Sequence, residues 1–131
     1  MKKLKEIIDD YRTNRIIFFL LLIIITFLSL SPKVPVPTVL KWQDKIEHLL
    51  TFVVLAIFLC RSFSPDTDFK MSDRIIFSVL ILASYGSLDE FLQGLIPTRD
   101  PSILDLMADI SGAILGGILF KHISFLNNVC K

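Results

Sequence analysis

The residues of this sequence that are capable of acid–base chemistry lie inside long apolar stretches. His48 follows Asp44 by four residues, and Gln93 follows Glu90 by three, so each pair shares a helical face. A histidine beside a carboxylate is typical of a general base, and a buried carboxylate suits proton transfer. His48 and Glu90 are therefore the candidate catalytic residues.

A second group of polar residues surrounds the start of the last apolar stretch. Arg99 precedes a helix that begins near Ser102, and an arginine beside a helix N-terminus suits a phosphate or carboxylate. The alternative is a loop-stabilising ion pair between Arg99 and Asp105, with Ser102 capping the helix. The candidate binding residues are Asp44, Lys45, Gln93, Arg99, Ser102, Asp105 and Asp109.

Each candidate also has a structural interpretation. His48 can simply bond to Asp44 or to a neighbouring helix, and Glu90 can form an interhelical hydrogen bond. Asp89 and Glu90 point about 100° apart on a helix, so we assign Glu90 to the site and expect Asp89 to meet Lys45 or surface water. Zinc or manganese could be held by ligands drawn from His48, Glu90, Asp105 and Asp109. Because no helix carries metal-binding spacing, the sequence predicts no metal, and it predicts no cofactor.

The elements that must position these residues are membrane helices. The chain has 131 residues, of which 53% are hydrophobic and 21% charged, and its mean hydropathy is +0.64. A helix needs about 20 mostly apolar residues to cross a bilayer. The apolar stretches predict a single all-α domain over residues 1–131, a bundle of four transmembrane helices at about residues 16–31, 42–61, 75–96 and 103–121. Acidic residues before the first stretch, and a poor cleavage site after it, favour a retained helix over a signal peptide.

The distribution of basic residues predicts the orientation of this bundle. With the N-terminus in the cytoplasm, ten Lys and Arg residues fall on inner segments and four on outer segments, so both termini are predicted to be cytoplasmic. His48, Glu90 and Asp109 then each lie about six residues, or about 9 Å, from the outer end of their helices. The sequence therefore predicts a shared polar pocket that opens to the outer face, while Gly112 and Gly116 allow close helix packing.

Three motifs make the chain similar to a known family. They are Asp44-Lys45-x-x-His48-x-x-x-Phe52, Tyr85-Gly86-x-x-Asp89-Glu90-x-x-Gln93 and Pro97-x-Arg99-x-x-Ser102-x-x-Asp105-x-x-Ala108-Asp109-x-x-Gly112-x-x-x-Gly116. Together they resemble the VanZ-like family of small bacterial integral membrane proteins, which is named after a protein of resistance to the glycopeptide teicoplanin. Asp109 departs from the family pattern, which usually has Asn there. The resemblance implies a multi-pass protein of the bacterial cytoplasmic membrane and a role in the cell envelope.

The predicted function is the binding of an envelope lipid or amphiphile, such as a lipid-linked component or a lipoglycopeptide, in the outward-facing pocket. The first alternative is a membrane-embedded acid–base or metal-assisted hydrolase or transferase that acts on a lipid headgroup. The second is a structural membrane partner of another protein. Membrane lipids are expected partners, whereas the net charge of +1 and the absence of a basic, aromatic-rich stretch argue against nucleic acid. The sequence does not indicate an oligomeric state.

Overall fold

The computed structural model describes residues 10–32, 42–64 and 66–129, with side chains as far as residue 126. Within these ranges the chain is helical and contains no β-strand, which confirms the all-α prediction. The four helices are α1 (Tyr11–Leu30), α2 (Gln43–Ser62), α3 (Met71–Gln93) and α4 (Ile103–Val129).

Two helices begin before their apolar stretches because polar side chains cap them. The Asp10 carboxylate accepts the backbone N–H of Thr13 at 2.9 Å and also its hydroxyl, so α1 begins at Tyr11 rather than at residue 16. These bonds from Thr13 hold the pKa of the Asp10 carboxyl below its ordinary value. Asp73 accepts the backbone N–H of Lys70 at 3.0 Å, and α3 begins at Met71 rather than at residue 75.

The predicted end of α3 at residue 96 was too late. The helix ends at Gln93, and the backbone then continues in turns, in which the Ile96 N–H donates to Gln93 and the Arg99 N–H donates to Ile96, both at 3.0 Å. Pro97 and Pro101 lie within this short connection and cannot donate to a continuing helix. α4 extends to Val129 instead of ending near residue 121.

Close packing between α2 and α4 forms the centre of the bundle. A Cβ atom added to Gly116 would lie 2.5 Å from the carbonyl oxygen of Val53, and one added to Gly112 would collide with the carbonyl oxygen of Leu49. The two glycines therefore let the backbone of α4 lie against that of α2, as the sequence predicted. The neighbouring core is apolar and includes the fully buried Leu55 and Leu82.

The outer surface of the bundle is apolar over much of its length. On α1, for example, Ile23 and Phe27 are 65% and 73% exposed. Within the described part of the chain, three helical segments are long and apolar enough to cross a membrane, namely Tyr11–Leu30, Met71–Gln93 and Ile103–Leu126. α2 is of comparable length but carries more charge, including Asp44, Lys45 and Glu47.

Candidate functional site

Buried acidic side chains converge at one end of the bundle, where α1 and α3 end and α2 and α4 begin. Asp89 and Glu90 come from α3, while Asp105 and Asp109 come from α4, and each of the four is at most 7% exposed. Burying a charge costs free energy unless other groups compensate it. The partners of these carboxylates therefore define what the site can do.

His48 of α2 bonds to Asp109 of α4. Its Nδ1 lies 2.9 Å from Asp109 Oδ1, and the Asp109 side chain is fully buried. With Asp109 ionised, Nδ1 donates the proton, and Nε2 is the ring nitrogen that can accept one. The carboxylate that orients His48 is thus on the neighbouring helix, one of the two partners expected from the sequence, and not Asp44.

The side chain of Glu90, which belongs to α3, reaches the start of α4. Its Oε2 accepts the backbone N–H of Ser102 at 2.7 Å, so Ser102 contributes its backbone to the site. One ligand atom from each of His48, Glu90 and Asp109 lies within 4.8 Å of the other two. The structure therefore brings together the three residues that the sequence placed at one depth on three different helices.

Lys45 neutralises part of this acidic region. Its ammonium group forms a hydrogen-bonded ion pair with Asp105, whose side chain is 6% exposed. Asp44 is 4.0 Å from the same ammonium group. The expectation that Lys45 meets Asp89 was wrong, because Asp105 on α4 faces α2 and forms the ion pair with Lys45.

Asp89 lies in a separate network with α1. Asp89 Oδ2 accepts the hydroxyl of Ser29 at 2.6 Å and the amide of Gln93 at 2.8 Å, and the same amide lies 2.8 Å from the Ser29 oxygen. Asp89 is therefore buried rather than at the surface, and Gln93 acts with Asp89 although it was predicted to share a site with Glu90. Sequence reasoning missed Ser29, although its hydroxyl, like that of Thr26, interrupts an apolar stretch.

Arg99 holds the end of α1. Its guanidinium donates to the carbonyl oxygen of Leu28 at 2.9 Å and to that of Ser31 at 3.0 and 3.1 Å. These carbonyls lie at the end of α1, where the last carbonyls lack the usual helical partner, and that of Leu28 also accepts the backbone N–H of Ser31 at 3.3 Å. The expected Arg99–Asp105 ion pair does not form, since Arg99 binds α1 and Asp105 binds Lys45.

A cavity of about 210 Å³ opens beside these groups. Its polar wall includes three carboxylates and one guanidinium, and apolar side chains of α1 and α2 complete it. The lining residues are Ile25, Leu28, Ser29, Asp44, Glu47, His48, Thr51, Phe52, Asp89 and Arg99. Glu90 and Ser102 line a different, mainly apolar groove between the end of α3 and the start of α4. His48 thus connects the cavity to the cluster that contains Glu90 and Asp109.

Comparison with known proteins gives one result. No curated protein and no solved structure matches the chain. The sequence does match the VanZ/LLP1 family over residues 11–126, which include every site residue described above. The chain therefore belongs to the VanZ/LLP1 family.

Proposed function

We propose that this protein is a multi-pass protein of the bacterial cytoplasmic membrane whose acidic cavity binds the headgroup of an envelope lipid or amphiphile at the outer face. All four helices cross the membrane in this proposal. α2 is the least apolar of them, but Lys45 and His48 are paired with Asp105 and Asp109 of α4. This pairing offsets part of the cost of inserting the charged residues of α2.

The position of the basic residues supports an outward-facing cavity. Arg15 donates to the carbonyl oxygen of Ser62, and Arg74 donates to those of Phe63 and Ser64, all at the end of the bundle opposite the cavity. The other basic residues of that end that the structure describes are Arg12, Arg61, Lys70 and Lys121. Because the more basic end of a membrane protein usually remains in the cytoplasm, both termini are cytoplasmic in this proposal.

The charge of the cavity wall carries the proposal about the ligand. Asp44, Glu47 and Asp89 contribute carboxylates, whereas Arg99 already donates to two carbonyl oxygens. This wall favours an amino group, such as the ammonium of an ethanolamine or aminoacyl headgroup, over a phosphate. The anion clamp considered for Arg99 is correspondingly disfavoured.

The size of the cavity limits how much of a ligand it can hold. Pockets for drug-sized molecules typically measure about 300–1,000 Å³, and this cavity measures about 210 Å³. It suits one headgroup or one polar end of a lipoglycopeptide rather than a whole antibiotic. Ile25, Leu28 and Phe52 provide the apolar part of the wall.

A binding measurement in nanodiscs tests this proposal. Phosphatidylethanolamine should bind more tightly than phosphatidylglycerol, and the double variant Asp44→Asn, Glu47→Gln should reduce this affinity about tenfold, the scale of one charged hydrogen bond. Asp66→Asn removes an exposed carboxylate outside the cavity and is the matched control. Equal binding of the two lipids, or no effect of the double variant, would contradict the proposal.

The second candidate function is an enzyme that acts on the same headgroup. It is favoured by the hydrogen bond between His48 and Asp109 beside the cavity, which is the arrangement of an oriented general base. His48→Asn and Glu90→Gln should then abolish headgroup release from a labelled lipid while membrane abundance and lipid binding persist. Full activity in both variants would exclude this mechanism and leave the binding function. A purely structural partner role is disfavoured by the cavity and by buried carboxylate oxygens that lack donors in the described part of the chain.

A further inference from the structure

Carboxylates outnumber cations around the deep part of the site. The basic side chains at this end that the structure describes are Lys45, Arg99 and, when protonated, His48. The acidic side chains at this end that the structure describes are Asp44, Glu47, Asp89, Glu90, Asp100, Asp105 and Asp109, of which Glu47 and Asp100 are exposed. Among apolar helices such an excess of negative charge is unfavourable unless cations or protons balance it.

The individual contacts locate where the imbalance is greatest. Asp105 is paired with Lys45, and Asp89 accepts two neutral donors. Three buried carboxylate oxygens have no hydrogen-bond partner among the residues described, namely Asp89 Oδ1, Glu90 Oε1 and Asp109 Oδ2. Of the three, Glu90 Oε1 and Asp109 Oδ2 belong to the carboxylates that are grouped with His48.

We propose that His48, Glu90 and Asp109 bind a divalent transition-metal ion, of which Zn²⁺ and Mn²⁺ suit the ligands best. Imidazole and carboxylate are ordinary ligands of both ions. One ligand atom from each residue already lies within 4.8 Å of the others. Metal–ligand bonds of about 2.0–2.2 Å place two ligands of one ion no more than about 4.4 Å apart, so small side-chain rotations complete the site.

The backbone of α3 leaves room beside one of the unpartnered oxygens. A Cβ atom added to Gly86 would lie 2.9 Å from Asp109 Oδ2, closer than such atoms approach one another in proteins. Glycine at this position therefore lets the Asp109 carboxylate lie against the backbone of α3, one turn before Glu90. The second acidic group near His48, formed with Asp44 and Asp105, is a weaker candidate because Lys45 already occupies Asp105.

The three protein ligands would leave coordination positions for water or for a donor group of a ligand in the adjoining cavity. The metal site goes beyond the proposed function, since the ion binds whether or not a lipid is present. It can therefore be tested without any lipid ligand.

The test uses the full-length protein without an affinity tag, purified in detergent and stripped with a chelator. Titration with Zn²⁺ or Mn²⁺ alone, followed by calorimetry and metal analysis, should reveal one saturable site per chain. Co²⁺ added to the wild-type protein should give the visible absorption of an ion bound by nitrogen and oxygen ligands. This measurement does not depend on whether any variant folds. The thermal midpoint should rise on addition of metal.

Variants then assign the site. Glu90→Gln and Asp109→Asn should each weaken binding at least about tenfold. Asp89→Asn, which alters an equally buried carboxylate with an unpartnered oxygen, should weaken metal binding much less than either ligand variant. Equal loss in Asp89→Asn would overturn the assignment, and so would the absence of saturable binding to the wild-type protein at sub-millimolar metal. Absence of saturable metal binding would mean that protons balance these carboxylates. Lipid binding measured in the presence of chelator would still test the proposed function separately.

Discussion

Removing the charge of Lys45 should destabilise the bundle more than any exposed charge substitution. The ammonium group balances Asp105, whose side chain is only 6% exposed, so Lys45→Met leaves a buried carboxylate without its counter-ion. Removal of one member of a buried pair typically costs about 3–5 kcal/mol. Because the Lys45 side chain itself is 25% exposed, water partly replaces it, and the expected loss is about 3 kcal/mol.

A double-mutant cycle separates this charge effect from lost packing. Asp105→Asn should cost about 1.5 kcal/mol, since Lys45 can still reach Asp44 and water. Lys45→Met combined with Asp105→Asn should cost about 2 kcal/mol less than the sum of the two single changes. The free energy of unfolding is measured by titration with a denaturing detergent in mixed micelles. Lys121→Met, at an exposed position of α4, is the control and should change stability by less than about 0.5 kcal/mol. Additive single effects, or a loss below 1 kcal/mol for Lys45→Met, would refute the reasoning.

Three further outcomes are expected. Gly116→Ala should destabilise the bundle by about 1–3 kcal/mol in the same unfolding assay, because its Cβ would lie 2.5 Å from a carbonyl oxygen of α2. Gly94→Ala would meet its nearest atoms at 3.3 Å and should cost less than Gly116→Ala, and an equal loss would contradict the close-packing argument. Ser29→Ala removes a hydroxyl donor from a buried carboxylate and should cost about 1–3 kcal/mol, and a neutral result would show that water replaces the hydroxyl. A cysteine at Lys33 should react with a membrane-impermeant thiol reagent in intact cells, while the native Cys130 should not, and labelling of Cys130 alone would invert the proposed orientation.

The sequence was sufficient to predict the helices, because a long run of high hydropathy indicates a segment that is buried or faces lipid. It did not predict where α1 and α3 begin, since their first turns are polar and lie outside the apolar stretches. Asp10 and Asp73 fix these starts through backbone hydrogen bonds, a local signal that a hydropathy block does not contain.

Part of the site could also be predicted, namely the grouping of His48, Glu90 and Asp109. Depth along a helix follows from residue number and rise alone, so three polar groups at equal depth could be recognised without coordinates. The roles of Asp89 and Glu90 could not, because the sequence does not reveal which helix lies on each side of α3. Adjacent residues point about 100° apart, and α3 has α1 on one side and α4 on the other. Asp89 consequently meets Ser29 of α1 while Glu90 meets Ser102 at the start of α4, and both are buried.

The same pairing explains how so charged a helix as α2 can belong to a membrane protein. Each basic side chain of α2 near the site has its carboxylate on α4: Lys45 binds Asp105, and His48 binds Asp109. Asp105 and Asp109 are four residues apart on α4, and Lys45 and His48 are three residues apart on α2, so both pairs form on facing helix surfaces. The glycine contacts farther along bring the two backbones together. Neither helix has these partners before the other is in place. α1, α3 and α4 are apolar enough to cross a membrane by themselves. In the proposed four-helix topology, insertion of α2 depends on the helix that neutralises it. Residues that look like a functional site are in this way also a condition of the fold, so a loss of function on mutation identifies a functional group only when membrane abundance is measured alongside it.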